Sequence, residues 1–318
     1  MLSPFRYSDT NKRYHTYDYH LRMTYGTKCA RIPLDAGFSC PNRENGQSGC
    51  IYCSARGSGD FCDTSPSLAE QFTSTYEALT EKWGKALPAI PYFQAYSSTY
   101  APPEVLYERY MQIFSFQRAN GEEVPLAACS IATRPDCLSD EVMAVLGALV
   151  KKIPLTVELG LQSMHDDTLL AIGRGHDFAA FCKGYRRLKA SGISVCVHII
   201  NGLPNESQEM MLDTAKALAK LRPDEIKIHM LHVLRDTALG DMYEKEPFAL
   251  LSMEEYVETV CMQLAYLPPE TVVARLTGDG AAKDLIAPMW TRAKRAVIAG
   301  IDRYLASHNM VQGMYFAQ

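Results

Sequence analysis

The chain has 318 residues, of which 47% are hydrophobic and 21% are charged, a composition typical of a globular protein in water. Its net charge of −4 and isoelectric point of about 6.1 provide no overall attraction to nucleic acid, although they are compatible with a local basic patch. No apolar run reaches the roughly 20 residues of a membrane-spanning helix, and the first 20 residues lack the apolar segment of a signal peptide. We therefore expect a cytoplasmic protein whose ten cysteines are reduced thiols or metal ligands.

Strand-like and helix-like patterns alternate along the chain, and no low-complexity linker divides it. Strands are predicted at residues 30–34, 92–96, 126–131, 155–160, 195–200 and 225–231. Helices are predicted between them at residues 67–83, 102–116, 140–150, 178–191 and 207–221, with another starting at Asp166. The last three strands are continuous apolar runs, which is typical of parallel strands buried on both faces. Repeated βα units of this kind predict an α/β fold with a parallel sheet, open or curled into a barrel.

Three cysteines lie in one short segment, SCPNRENGQSGCIYC, with the spacing C-x9-C-x2-C; they are Cys40, Cys50 and Cys53. The Pro, Asn, Gly and Ser residues between them favour turns and predict a loop after the first strand. Three convergent thiolates can bind a soft metal and leave a fourth metal position open for chemistry. Cys62 or Cys29 is available as a fourth thiolate, so a closed zinc site is the alternative interpretation. The preceding strand and the aromatic Tyr52 favour an iron–sulfur cluster.

A cysteine loop directly after the first strand, with an aromatic residue before its last cysteine, resembles the radical S-adenosylmethionine (SAM) enzymes. The commonest loop of that superfamily is C-x3-C-x2-C, so this chain departs from it by a longer first gap. The longer gap, with LDAGFSCPNR before it and GSGDF after it, is similar to the YhcC-like group, which is related to the radical domain of the Elongator catalytic subunit. The similarity continues through YFQAYSSTYAP, SIATRPDCL, VELGLQS, GRGHD, VHIINGLPNES, KIHMLHVL and RLTGDG.

This resemblance implies a partial (β/α)6 TIM-like barrel with a helical C-terminal extension. Residues 1–240 would form the barrel with an N-terminal extension, and residues 241–318 would pack on it. Within the C-terminal extension, helices are predicted at residues 253–266 and 290–307, and a strand at residues 272–276.

The resemblance also implies the cofactors. Cys40, Cys50 and Cys53 would hold a [4Fe–4S] cluster, and SAM would bind at the iron that they leave open, beside Tyr52. One electron from the reduced cluster would cleave SAM to methionine and a 5′-deoxyadenosyl radical, which abstracts hydrogen from a substrate. The cofactors carry this chemistry and the protein positions them. A donor such as flavodoxin or ferredoxin would supply the electron.

The chemistry of a parallel barrel gathers at the carboxyl ends of its strands, and polar residues follow strands two to four. After strand two, AYSST stands where the superfamily usually has a Gly-Gly-Glu-like segment, so Tyr96 and Ser98 would have to hold the SAM amino group; the alternative is an ordinary Ser/Thr-rich loop. Thr133 follows strand three, in a segment that equally suits a helix cap and a surface ion pair. Glu158 lies in the apolar run of strand four, where a carboxylate needs a ligand or a partner, and Gln162 follows it.

Further contacts with SAM are expected after strands four, five and six. Arg174, between two glycines, can grip the SAM carboxylate through paired hydrogen bonds, unless it is a surface arginine in a turn. On strand five, Ile200 offers adenine an apolar face and Gly202 permits close approach of the backbone, while His198 is either a ligand or a core histidine. The resemblance implies that backbone groups near Leu231 read the adenine edge.

The leading interpretation is a radical SAM enzyme that acts on a small molecule or on an RNA base. The acidic isoelectric point leans towards the small molecule. The second interpretation is a non-catalytic binding protein stabilised by zinc. Iron, sulfide and a brown colour would distinguish the first from the second. Acetyl transfer to tRNA is not expected, because no acetyltransferase segment follows the barrel.

Overall fold

The computed structural model describes residues 5–44, 46, 49–57, 59, 62–278, 280 and 282–317. Its main sheet contains seven parallel strands: β1 (Ala30–Leu34), β2 (Ala89–Phe93), β3 (Cys129–Thr133), β4 (Leu155–Gln162), β5 (Ser194–Asn201), β6 (Glu225–Met230) and β8 (Val272–Arg275). They are hydrogen-bonded in that order, so each strand lies beside the next one along the chain. A separate antiparallel pair consists of β7 (Val233–Leu234) and β9 (Leu285–Ala287).

Helices alternate with the strands. They are α1 (Tyr17–Tyr25), α2 (Leu68–Trp83), α3 (Pro103–Met111), α4 (Asp140–Val150), α5 (Asp166–Ala171), α6 (Phe178–Ala190), α7 (Gln208–Leu221), α8 (Ala238–Lys245), α9 (Met253–Tyr266) and α10 (Lys294–Ser307). Several start with a side chain that accepts a hydrogen bond from the third helical amide, which is the usual way to satisfy a free helix N-terminus. These capping residues are Ser67, Ser139, Asp177, Ser207 and Ser252. None of the described helices is both long and apolar enough to cross a membrane.

The curled sheet has an apolar outer face and a polar inner face. On β1, Ile32 and Leu34 are fully buried in the core between the sheet and the helices. The alternate residues Arg31 and Pro33 point to the other side and line a central cavity. The segment before α1 pairs with the outer edge of β8, through a bridge between Thr16 and Val273. The inner face is therefore the place to look for chemistry.

The predicted α/β partial barrel is confirmed. The strand predicted at residues 272–276 extends the sheet beyond β6 as its seventh strand. The predicted strand 92–96 was placed too late, because the chain leaves the sheet after Phe93 and turns with Tyr96 at a φ of 55°. The helix predicted at residues 102–116 ends at Met111 and continues as a 3-10 turn, Gln112–Ser115. The sequence reasoning missed α1, α8, β7 and β9, and the domain boundary at residue 240 stays a prediction.

Candidate functional site

The cysteine loop lies at the carboxyl end of β1, where the first strand opens into the inner face of the sheet. Cys50 is buried, whereas Cys40 and Cys53 are half-buried. Two backbone hydrogen bonds anchor the loop at Ile51, whose N–H donates to the Ile172 carbonyl at 3.1 Å and whose carbonyl accepts from the Leu239 N–H at 2.8 Å. The cysteine loop is therefore held against the end of α5 and the first turn of α8.

Cys50 is surrounded by hydrogen-bond donors. Asn42 Nδ2 lies 3.4 Å from its Sγ and Arg174 Nη1 lies 3.8 Å from it. Burial alone would raise the pKa of the Cys50 thiol, but the charge and hydrogen bond of Arg174, the hydrogen bond of Asn42 and the charge of Arg134 lower it below its usual value. These surroundings favour the thiolate, which is the form that binds metals.

Cys40 has a similar pair of donors. Ser97 Oγ lies 3.5 Å and Arg134 Nη1 lies 3.8 Å from its Sγ. Arg134 is fixed in turn by Asp136, to which it donates two hydrogen bonds of 2.9 and 2.7 Å. Burial raises the pKa of the Cys53 thiol, partly opposed by a hydrogen bond from Arg43. Donors aimed at sulfur are what a negatively charged thiolate-bound cluster requires, so this loop fits an iron–sulfur cluster.

Arg174 brings a buried guanidinium to the same place. Its Nη2 donates to the Gly160 carbonyl at 2.7 Å, and its Nη1 points at Cys50. Its Nε is buried and has no hydrogen-bond partner in the described part of the chain. A buried unsatisfied donor on a charged group is costly, so this nitrogen suits an anionic ligand beside the cysteines. The SAM carboxylate predicted from the sequence fits this position.

Gly175 allows Asn42 and Arg134 to approach the backbone beside Arg174. Its φ is 77°, and a Cβ at this position would lie 2.6 Å from Asn42 Oδ1 and 2.8 Å from Arg134 Nη2. Any side chain here would therefore push apart the groups that hold the cysteine loop.

Two hydroxyl groups of the AYSST segment form hydrogen bonds with backbone carbonyls of the protein. The Tyr96 hydroxyl donates to the Ala55 carbonyl at 2.7 Å, and the Ser98 hydroxyl donates to the Ala95 carbonyl at 3.2 Å. The Ser98 carbonyl accepts from the Tyr110 hydroxyl. The residue of this segment that reaches a cysteine is Ser97, which the sequence reasoning did not select. Binding of the SAM amino group by this segment stays a prediction.

Thr133 and Gly202 take part in local packing. Thr133 Oγ1 lies 2.5 Å from Thr99 Oγ1, which also donates to the Cys137 carbonyl at 2.6 Å. Gly202 has a φ of 87°, and a Cβ there would lie 3.2 Å from Leu251. Neither residue lines the central cavity, and their predicted contacts with SAM stay predictions.

A cavity of about 400 Å³ joins several of the other predicted residues. It is lined by Tyr52, Cys53, Gln162, His198, Ile200 and Leu231. These site residues were predicted from separate motifs, in the cysteine loop and in or after β4, β5 and β6. The structure places them around one cavity. A cavity with apolar walls and a few converging polar groups is the usual form of a ligand site.

Glu158 has four partners inside the barrel. The side chain is fully buried, and it accepts hydrogen bonds of 2.6 Å from the Tyr92 hydroxyl and 2.8 Å from His198 Nε2. It also forms ion pairs with Arg31 and Lys227. The expected partner of this buried acid is therefore found within the protein, and its contact with SAM stays a prediction. The same pattern, a charge inside a strand of apolar residues, would have drawn attention to Arg31 and Lys227.

One group of potential metal ligands lies beside this network. Oxygen, sulfur and nitrogen atoms of Glu158, Cys196 and His198 lie within 4.8 Å of one another. The carboxylate is already neutralised by Arg31 and Lys227, and burial, followed by the charges of Lys227 and Arg31, holds the pKa of His198 well below its usual value. A cation would be repelled by these neighbours, so the group is better explained as part of the ion-pair network.

Two family models match the chain. The model of the radical SAM superfamily matches residues 39–218, which include the cysteine loop and the strands β2 to β5. The model of the radical SAM C-terminal domain matches residues 223–307. The chain belongs to the radical SAM superfamily. It is an enzyme of the radical SAM class, and this superfamily normally uses a [4Fe–4S] cluster and SAM, a reductant and a substrate.

Two related proteins match nearly the whole chain, and a third matches about half of it. It is 45% identical over 317 residues to the uncharacterized protein YtqA of Bacillus subtilis, covering 99% of this chain and 96% of that protein. It is 33% identical to protein YhcC of Escherichia coli, covering 92% of each. Human Elongator complex protein 3 is 30% identical over 154 residues, which are 47% of this chain and 27% of that protein. The predicted resemblance to the YhcC-like group and to Elongator is confirmed.

Two solved structures have a similar fold. Elp3 of Methanocaldococcus infernus matches with a TM-score of 0.66 at 20% identity, covering 89% of this chain and 64% of that one. The methylornithine synthase PylB matches with a TM-score of 0.51 at 15% identity, covering 93% of this chain and 86% of that one. At these identities the matches bear on the fold alone.

Proposed function

We propose that the protein reductively cleaves SAM at a [4Fe–4S] cluster and uses the product radical to abstract hydrogen from a substrate. Cys40, Cys50 and Cys53 would hold the cluster. The observation that carries the proposal is Arg174, whose buried guanidinium touches Cys50 and has an unpaired Nε. A cation and a free donor beside the thiols meet the needs of a ligand that carries a carboxylate.

The cavity residues would orient the rest of SAM. Ile200 and Leu231 offer apolar contacts for adenine, and Tyr52 and Gln162 face the same space. Tyr96 and Ser98 would bind the amino group through backbone carbonyl or hydroxyl oxygens. When bound, the cluster and SAM supply the electron transfer and the radical, while these side chains orient the nucleoside and keep water away from it.

The partners follow from this chemistry. The electron would come from a donor such as flavodoxin or ferredoxin, in the cytoplasm. The substrate would be a small molecule or an RNA base that reaches the central cavity.

Reductive cleavage can be tested without a substrate. After anaerobic reconstitution, the protein with SAM and dithionite should release 5′-deoxyadenosine and methionine slowly, because this step needs only the cluster, SAM and an electron. Chromatography of the nucleoside products provides the measurement. The proposal fails if the product is methylthioadenosine, or if a fully iron-loaded protein leaves SAM intact. Protein without reconstituted iron is the control and should release no product.

The role of Arg174 can be tested by Arg174→Lys. The variant keeps the charge but loses Nε, the Arg174 nitrogen without a partner among the described residues, so SAM affinity should fall by roughly tenfold or more. Calorimetry at equal iron content measures the affinity. Arg186→Lys is the matched control, because Arg186 is an exposed residue of α6, and it should bind SAM normally. Unchanged affinity in both Arg174→Lys and Arg174→Ala would show that the carboxylate is held elsewhere.

A further inference from the structure

Three cationic side chains line the central cavity, and they come from the sheet and not from the cysteine loop. Arg31, Lys227 and Arg275 line it from within or at the end of β1, β6 and β8, whereas Tyr52 and Cys53 line it from the loop that follows β1. None of the described residues that line the cavity is an aspartate or a glutamate. These three side chains thus bring positive charge to the end of the cavity that the cysteines do not occupy.

Strand register holds these cations side by side. Lys227 is paired with His198 on β5 and with Arg275 on β8, so three basic side chains occupy one level of the sheet. Arg31 approaches from the opposite edge strand, and its guanidinium carbon lies 3.9 Å from the centre of the Tyr92 ring. Lys227 Nζ lies 4.8 Å from the same ring centre. Both cations therefore lie close to the Tyr92 ring, and the Glu158 carboxylate contacts both of them.

The acids of this region cancel only part of the positive charge facing the cavity. Glu158 is fully buried and does not line the cavity, but its one negative charge is shared by Arg31 and Lys227 and offsets part of theirs. Glu225 does not line it either, and burial raises the pKa of this carboxyl, which favours its neutral form. Burial also lowers the pKa of Lys227 to about 8, and a further anion in the cavity would favour its charged form.

We infer that this end of the cavity binds an oxyanion carried by the substrate, either a carboxylate or a phosphate. Lys227 and Arg275 would bind it directly, with Arg31 adding charge from the other edge. Arginine binds planar oxyanions through two parallel N–H groups, and lysine binds them as a point charge. The assignment to the substrate rests on the proposed function, which places the SAM carboxylate at Arg174, a residue that does not line this cavity.

Simple anions can probe this site independently of turnover. The reconstituted protein is titrated with sodium acetate and, separately, with inorganic phosphate, at an ionic strength fixed with sodium chloride, and its thermal midpoint is recorded. We expect a saturable rise with at least one of the two anions, and the anion that produces it identifies the substrate group as a carboxylate or a phosphate. The rise should persist when SAM is present at saturation.

Two variants locate the binding. Lys227→Met and Arg275→Gln should each weaken the response by roughly tenfold, the usual effect of losing one charge-assisted hydrogen bond. Arg275 is exposed on an edge strand, so its variant should fold even if Lys227→Met does not. Lys220→Met, at an exposed position of α7, is the matched control and should keep the full response.

The outcomes separate this inference from the proposed function. It is overturned if neither anion gives a saturable rise, if SAM abolishes the rise, or if Arg275→Gln responds like the wild type. Release of 5′-deoxyadenosine by the wild-type protein without substrate tests the proposed function alone. A protein that cleaves SAM but fails to bind either anion would therefore contradict only the inference about the substrate.

Discussion

Replacing any one of Cys40, Cys50 and Cys53 with alanine is expected to abolish the cluster. Anaerobically reconstituted wild-type protein should carry about four irons per chain, and each variant should carry close to none, because each thiolate holds one iron of a cubane cluster. Iron and sulfide analysis, together with the brown absorbance of the cluster, provides the measurement.

Cys62→Ala is the matched control for these three variants. Cys62 is buried and lies close to the cysteine loop in sequence. Its replacement therefore tests whether removing any nearby thiol lowers the iron content. It should keep its iron. Full iron loading in Cys50→Ala would refute the assignment of the ligands. A protein that binds zinc through all four cysteines, and loses it in Cys62→Ala, would support the closed zinc site instead.

The sheet could be predicted from the sequence because its strands are local patterns. β4, β5 and β6 are apolar runs, and α4 and α9 begin directly after serine caps, so the bounds of both helices agree with those predicted. By contrast, α1 has one buried side chain, Leu21, and therefore shows little helical periodicity of apolar residues. The strands β7 and β9 are about fifty residues apart in the sequence, and no local sequence pattern predicts that they pair.

The candidate site was predictable to the extent that its residues are linear motifs. The cysteine loop and the GRG segment at Arg174 stand out in the sequence itself. The contacts between them do not, because the orientation of Arg174 towards Cys50 depends on the packing of the loop after α5 against the cysteine loop. Likewise, a buried acid in β4 predicts a partner but cannot identify Arg31 and Lys227, which come from strands on both sides of it.

Replacing Glu158 with glutamine is expected to destabilise the fold substantially. Glutamine has the same shape but no charge, so Lys227 would lose its carboxylate partner while 94% of its side chain stays buried. Arg31 would lose its ion pair as well. Breaking a buried ion pair by removing one partner typically costs about 3–5 kcal/mol, because the remaining charge stays uncompensated. Chemical or thermal unfolding followed by circular dichroism provides the measurement, with Glu108→Gln on the exposed face of α3 as a control that should change little.

A second substitution separates charge from packing. If the cost arises from the uncompensated cations, then Glu158→Gln combined with Lys227→Met should be more stable than Glu158→Gln alone, since one of those cations is removed. Simple loss of packing would make the double variant less stable, and that result would contradict the argument. SAM calorimetry on the Glu158→Gln variant, at equal iron content, also tests the contact with SAM predicted from the sequence. Normal affinity in an unstable variant would assign Glu158 to the barrel's interior, where it fixes the two cations that face the substrate.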